Sequence, residues 1–318
     1  MGEKVIPDSN RIFVTGAAGF IGSHLIRRLL GEGYHVGIQK RETTDTSRIA
    51  DVIDATAVYD VDIRNGPDVG AAIADFRPDI IIHLVTYYAV EHEPDDIGVM
   101  IDTNVRGTVN LLEASTQLNV HHFINTSTCA VYRESGDYLA ETDPVDPQNL
   151  YALTKLQAEE ACSFYSKNYD LNVLTLRLFP PYGPGDHERR LIPFVIRALQ
   201  RGEAPQLTSG RQKWDFVFVD DIADAFVNAI ESFPYPHRHE CINIGTGEAP
   251  TVREVVEMIR EQMGIETPME WGVVPHRKNE VWFNSADIQK AANLLGWQPE
   301  TSLQDGIART INSFTNHL

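Results

Sequence analysis

The chain has 318 residues, 42% of them hydrophobic, and a formal net charge of -18. That length fits one large α/β domain or two interlocked ones with a sizeable core. The acidity argues against a nucleic-acid partner, whose phosphates demand basic patches, and no apolar run approaches the roughly 18 residues of a membrane span. Three scattered cysteines, Cys129, Cys162 and Cys241, suit neither a disulfide framework nor a metal site. With an N-terminus (MGEKVIPDSN) that lacks a signal-peptide core, they point to a reducing cytoplasm.

Residues 11–15 (RIFVT) predict a short buried strand, followed by the turn GAAGFIG and a helix with a glycine stop, SHLIRRLLGEG. YHVGIQ predicts the second strand and AVYDVD the third. A helix around 69–76, the strand DIIIHLV and a long helix over 97–118 come next. HHFINTS and LNVLTLRLF predict two more strands around a helix that carries YALTK. Strands alternating with helices mean a parallel, doubly wound sheet. Composition shifts after Phe179 to a loop, PPYGPGDHERR, and then to IPFVIRALQRG, WDFVFVDDIADAFVNAI, CINIGTG and short helices. The expected division is a dinucleotide domain over 1–179, with a return over about 216–247, and a smaller, partly interleaved lobe over 180–318. The cleft between them is the expected substrate site.

Gly16, Gly19 and Gly22 are spaced G-x-x-G-x-x-G between a strand and a helix. The first permits the tight turn, the second lets backbone approach a pyrophosphate, and the third allows close helix–sheet packing. The helix N-terminus then offers N–H donors to phosphates. At the end of the second strand an acid would bind the ribose 2′-hydroxyl of NAD, but Lys40 and Arg41 stand there. Two cations in an acidic chain favour NADP over NAD. The plainer alternative makes them surface residues, with Thr43 or Thr44 serving a hydroxyl. Asp62 suits an adenine amino group, or a turn cap in VDIRNG.

Tyr151 and Lys155 stand four apart on a predicted helix, so phenol and ammonium point the same way. A fixed cation favours the phenolate, which sets up a hydride-transfer site with the tyrosine as acid/base.

Together these segments resemble the extended short-chain dehydrogenase/reductase family, in its nucleotide-sugar epimerase/dehydratase/reductase branch. The marks are TGAAGFIGSHL, DIIIHLV, NVRGTVNLLEA, STCAVY, YALTK, RLFPPYGPG, DFVFVDDIADAF, NIGTG and LGWQPETSL, spread over nearly the whole chain. The resemblance implies a Rossmann-type fold and a homodimer joined through helices near 97–118 and 149–167. It implies NADP or NAD held by Gly16, Gly19, Phe20, Ile21 and Gly22, by Lys40, Arg41, Asp62 and Ile63, and by Leu84 and Val85. It also implies that Tyr151 exchanges a proton with a sugar hydroxyl at C4, that Lys155 bonds the nicotinamide ribose, and that Thr128 bridges sugar and tyrosine. A hydroxyl can donate to or accept from a developing alkoxide.

Some positions depart from the family. Dehydratases carry Asp-Glu after that threonine, whereas Cys129 and Ala130 stand here. Ordinary 4,6-dehydration therefore loses its acid and base. Cys129 reads either as a buried small hydrophobe or as a substrate-side acid/base thiol. Pro180 replaces a usual asparagine and Trp214 a usual arginine at the diphosphate. Arg277 still matches a pyrophosphate arginine, with Arg189 and Arg190 as helpers or as loop solvation. Tyr87 and Tyr88 occupy places that face cofactor and sugar in relatives, or pack in the core.

The leading expectation is a nucleotide-sugar epimerase working through a transient 4-keto hexose on a nucleotide-diphosphate sugar. The runner-up is an NADPH-dependent 4-keto-6-deoxyhexose reductase, favoured by Lys40, Arg41 and the QKRETTDTSRI segment. A noncatalytic dinucleotide-binding regulator is the third reading, opposed by the retained Tyr151 and Lys155. Atypical dehydration through Cys129 is a fourth.

Overall fold

The architecture follows from strands that are apolar on both faces. In a computed structural model, residues 10–233 and 239–315 are described. The N-terminal segment read for a signal peptide lies, up to Ser9, outside them. Strands β1 (Arg11–Thr15), β2 (His35–Lys40), β3 (Ala57–Asp60), β4 (Ile80–His83), β5 (His122–Thr128) and β6 (Asn172–Leu178) alternate with helices. Every residue of β4 is buried, as both faces of a parallel sheet demand. The helices of this half are α1 (Phe20–Gly31), α2 (Gly66–Phe76), α3 (Pro94–Ile101), α4 (Gly107–Gln117) and α5 (Leu150–Asn168).

Beyond β6 the chain forms β7 (Pro181–Tyr182), α6 (Leu191–Gln200), β8 (Gln206–Leu207), β9 (Lys213–Trp214) and β10 (Val217–Phe218). Helix α7 (Val219–Glu231) then packs on α1, and β11 (His239–Ile244) joins the large sheet beside β6. Helix α8 (Val252–Gln262), β12 (Glu270–Trp271), β13 (Phe283–Asn284), α9 (Gln289–Leu295) and α10 (Leu303–Thr315) complete the chain.

The central sheet has seven strands in the order β11-β6-β5-β4-β1-β2-β3, all parallel. The chain runs outward from β1 through β2 to β3, then restarts at β4 on the other side. This reversal opens a crevice at the carboxyl ends of β1 and β4, where open α/β sheets bind ligands. One apolar core (Ile26, Ile38, Phe226) fills the α1/α7 face and another (Ile73, Leu111, Phe123) the α2/α4/α5 face. A third, around Tyr182, Val195, Phe216 and Val256, holds the smaller lobe together.

The long helix expected over 97–118 runs from Pro94 to Gln117 and changes its winding midway. Helix α3 begins at Pro94 behind a capping box of Glu93 and Asp96, and a π turn over Asp102–Arg106 separates it from α4. Among the described residues no helix is long and apolar enough to cross a membrane.

Candidate active site

The crevice floor is the glycine turn. Gly16 has a φ of 74°, a conformation open to glycine at no steric cost, and its carbonyl accepts from Gly19 N–H at 3.0 Å. A Cβ on Gly22 would stand 2.2 Å from that same carbonyl oxygen, so α1 can approach β1 only with glycine there. Gly16 also abuts the backbone of Leu84 and Val85, where a Cβ would meet Val85 N at 2.9 Å. The bare turn therefore leaves a cradle of backbone N–H groups at the start of α1, with half-buried Phe20 and Ile21 in its first turn. This suits a dinucleotide pyrophosphate.

The rim at β2 and β3 is held by its own ion pairs. Lys40 is ion-paired with Asp60 across the strands and does not stand as a free cation. Arg41 is exposed, and its backbone N–H donates to Thr44 Oγ1 at 3.0 Å. Asp62 is gripped by the Arg64 guanidinium (Nη2 to Oδ2, 2.5 Å), which holds its carboxyl below the usual range. Its Oδ1 also caps the turn by accepting Arg64 N–H at 2.9 Å. Ile63 is buried, and its side chain packs on Gly107, where a Cβ would lie 2.5 Å from Ile63 Cδ1.

At the opposite side, β5 ends at Thr128 and α5 starts at Leu150 after a long connection. Asn149 caps α5 by accepting Ala152 N–H at 2.8 Å. This fixes Tyr151 and Lys155 on the inward face, 8% and 3% exposed. Burial drives the Tyr151 phenol well above its ordinary range, and the nearby Tyr88 adds to this. A hydrogen bond with Thr128 and the Arg190 charge oppose the shift. Burial thus outweighs the groups that favour the phenolate here. The physical reason is that desolvation penalises the anion more than its neighbours stabilise it. Burial likewise pulls Lys155 down to about 8, resisted by Cys162 and Glu159.

Thr128 is half-buried, and its Oγ1 accepts Ala130 N–H at 3.2 Å. Cys129 is 8% exposed, its sulfur accepts from Asn284 Nδ2 at 3.2 Å, and burial pushes its thiol up to about 11. Of the two readings of this residue, the packed neutral thiol is the one the surroundings favour.

Asn104 was not singled out from the sequence, yet it organises this wall. It sits fully buried in the π turn. Its Oδ1 accepts Tyr87 N–H at 2.7 Å, and its Nδ2 donates to Tyr87 O and Thr154 Oγ1, both at 3.0 Å. The loop after β4 is thereby tied to α5. His83 supports it from below. Thr108 Oγ1 donates to Asn104 O at 2.7 Å, so it accepts from His83 Nε2 at 3.0 Å, and His83 Nδ1 accepts from Thr15 Oγ1 at 2.7 Å. Burial holds this imidazole neutral, with its pKa pulled to about 3.

The expected substrate residues stand on several separate segments. Tyr88 lays its ring edge-on against Tyr151, centroids 4.8 Å apart. Tyr87 turns its hydroxyl to Asp96 at 2.6 Å. Arg189 is exposed, and Arg190 lies 3.6 Å from Asp186. Trp214 donates from Nε1 to Val281 O at 2.9 Å. Arg277 pairs with Glu91 at 3.2 Å, linking the smaller lobe to the loop after β4 instead of standing free for a phosphate. Asp215, beside Trp214, is buried and accepts Thr246 Oγ1 (2.6 Å) and the backbone N–H groups of Thr246 (2.7 Å), Gly247 (3.0 Å) and Ala286 (3.1 Å). It pins the smaller lobe to the end of β11. Among the described residues no group of three His, Cys, Asp or Glu side chains is placed to hold a metal ion.

Comparison with known proteins places these features in context. The model of the NAD dependent epimerase/dehydratase family matches residues 12–245. A UDP-glucose 4-epimerase of Mycolicibacterium smegmatis is 32% identical over 326 residues, covering 96% of this chain and 99% of the relative. The crystal structure of a Thermus thermophilus UDP-glucose 4-epimerase in complex with NAD superposes with a TM-score of 0.87 at 28% identity, covering 97% of this chain and all of that one. That of a Thermotoga maritima UDP-glucose 4-epimerase with UDP-glucose gives 0.88 at 27% identity, with 96% and 99% covered. A likeness that runs through the family model and through whole relatives alike makes this chain a member of the NAD dependent epimerase/dehydratase family.

Proposed function

We propose that the protein is a nucleotide-diphosphate-sugar 4-epimerase that uses a tightly held nicotinamide dinucleotide. The observation that carries the reading is Tyr151, buried beside Thr128 at the carboxyl edge of the sheet. Ala130 stands where elimination would need a carboxylate. When bound, the nicotinamide would supply an acceptor and then a donor for the hydride of C4. In its phenolate form, which Thr128 and Arg190 favour against burial, Tyr151 takes the proton of the C4 hydroxyl and gives it back, Thr128 hydrogen-bonds the same oxygen, and Lys155 holds a ribose hydroxyl with its ammonium. Relatives named for UDP-glucose, and solved structures with UDP-sugars, make a UDP-hexose the first substrate to test.

For the cofactor, the Lys40–Asp60 pair places a carboxylate beside the lysine expected to meet a 2′-phosphate. Arg41 alone remains for NADP, so NAD is the reading we favour, in keeping with neighbours solved with NAD. The crevice between the sheet and residues 180–318, less the returning segment near 216–247, would take the nucleotide sugar. Tyr87, Cys129, Trp214, Arg189 and Arg277 would surround it, with Arg277 leaving Glu91 for the diphosphate. Exposed Ile97, Ile101, Leu153 and Phe164 on α3 and α5 suit a homodimer face. The three free cysteines suit a reducing cytoplasm.

The test is direct. Purified protein is denatured and the released dinucleotide weighed, and native protein is incubated with UDP-glucose and followed by proton NMR. Stoichiometric NAD and appearance of the C4 epimer are expected, with Tyr151→Phe reducing the rate by about 10²–10⁴-fold. Empty protein that oxidises NADPH with a 4-keto sugar would overturn the reading in favour of a reductase.

A further inference from the structure

Helix α5 carries a third charged residue in line with the first two. Glu159 lies four residues beyond Lys155 and eight beyond Tyr151, on the same face, and is 4% exposed. Its carboxylate takes a fork from Arg177 of β6: Nε to Oε1 at 3.0 Å and Nη2 to Oε2 at 2.6 Å. Arg177 is itself 6% exposed, and its guanidinium lies over the Tyr132 ring at 4.7 Å. Tyr132 OH donates to Asn243 Oδ1 of β11 at 2.6 Å. The pair is thus locked from β6, from β11 and from the turn after β5.

Nothing in the proposed reaction uses these two residues. A buried ion pair is a weak source of stability, since well-packed apolar residues often replace it at no loss. Its position one helical turn from a buried ammonium therefore calls for another account.

We propose that Glu159, oriented by Arg177, is a positioning residue that keeps Lys155 in its charged form at the pH where Tyr151 works. The proposal rests on the reading of Lys155 as a required cation. Of the other groups that act on that ammonium, Cys162 opposes its loss of charge more than Glu159 does, but it is a thiol. Cys162, also on α5, has its thiol driven well above the usual range by burial, and Cys241 of β11 behind it is pushed up to about 12. His83 of β4 is neutral. Glu159 is the carboxylate in this set, and it opposes the burial that pulls Lys155 down to about 8.

The experiment is a titration of the full-length protein with lysine labelled by ¹³C at Cε, Lys155 being identified by the signal missing in Lys155→Met. Native protein should titrate at about 8. In Glu159→Gln the midpoint should move to lower pH, while Glu159→Asp, which keeps the charge, should stay near native. Glu159→Gln leaves Arg177 buried without its partner, so the double variant E159Q/R177M, which buries no lone charge, carries the test if the single one does not fold, with a smaller fall of the midpoint expected because a cation leaves with the carboxylate. Equal midpoints in native protein and in the folded charge-removed variant would overturn the proposal. In the activity arm, the alkaline limb of the rate profile should shift with the midpoint. The variant's rate at pH of about 8, relative to that at about 6.5, should fall about three- to tenfold. Absence of turnover with any nucleotide sugar would sink the epimerase reading alone, because the ¹³C midpoints decide the electrostatic one by themselves.

Discussion

The two sides of the crevice hold similar residues in opposite circumstances. Around α5, Tyr151, Lys155 and Glu159 are buried, and burial moves the tyrosine and lysine far from their ordinary titration. At the β2–β3 rim, Lys40, Asp60, Asp62 and Arg64 form partly exposed pairs that solvent screens. A lysine on each side is therefore a different chemical object. Lys155 is a buried ammonium pulled down by desolvation, whereas Lys40 is a half-buried cation whose charge is matched by Asp60. Charge near a ligand site carries chemistry in proportion to the water removed from it.

The sharpest way to break this comparison is Lys155→Met. Activity should drop about 10²–10³-fold, as on losing a charged donor at a reacting centre. The same change should stabilise the fold at neutral pH. The lysine titrates at about 8 when folded and 10.5 when free, so between those values the unfolded chain binds more protons. Its presence is therefore fully destabilising below about pH 8, and the penalty is relieved as pH climbs towards 10.5. The variant should melt higher at pH 7, by on the order of 1 kcal/mol or more, and the gain should shrink above pH 8, as read by thermal denaturation across pH. A variant that melts lower at pH 7 would show that the ammonium is satisfied rather than strained.

A steric change at the crevice floor comes next. Gly22→Ala puts a Cβ against backbone atoms of Gly16 and Ala17 that cannot swing aside. It should destabilise by about 1–3 kcal/mol and weaken cofactor retention, measured by melting with and without added NAD. An unchanged melting point would mean that α1 slides freely over the turn.

Lys40→Ala should do least. The pair it breaks is worth about 0–1 kcal/mol, and the KM for NAD should change less than about threefold. A tenfold loss of NADP-supported activity alone would instead restore Lys40 to the 2′-phosphate role that its place in the sequence suggests.

The glycine turn, the alternation of strands and helices, and the Tyr151/Lys155 helix were legible because each is written in local spacing. What was not legible depends on partners distant in the chain. Lys40 looks free in sequence because Asp60 meets it only when β2 and β3 pair. The pairing of Arg277 with Glu91 is hidden in sequence because the two meet only across the lobes. The helix over 97–118 was the natural reading of its apolar periodicity. The π turn midway along it contains Asn104, whose partners are Tyr87 and Thr154. The departures at Cys129 and Ala130 were visible as residue types, and only burial shows the thiol to be held neutral.

The place of β11 in the sheet also bears on biosynthesis. Strand β6 ends at Leu178, but its outer neighbour begins only at His239, after the chain has passed through α6 and α7. During synthesis the ribosome exposes β6 as an open edge carrying Val173, Leu174 and Leu176, apolar and unpaired, until that late strand arrives. A nascent chain stalled in this interval displays a template for misassociation. Truncations that stop before residue 239 should collect in inclusion bodies, while chains that run past Ile244 carry the strand that closes the edge.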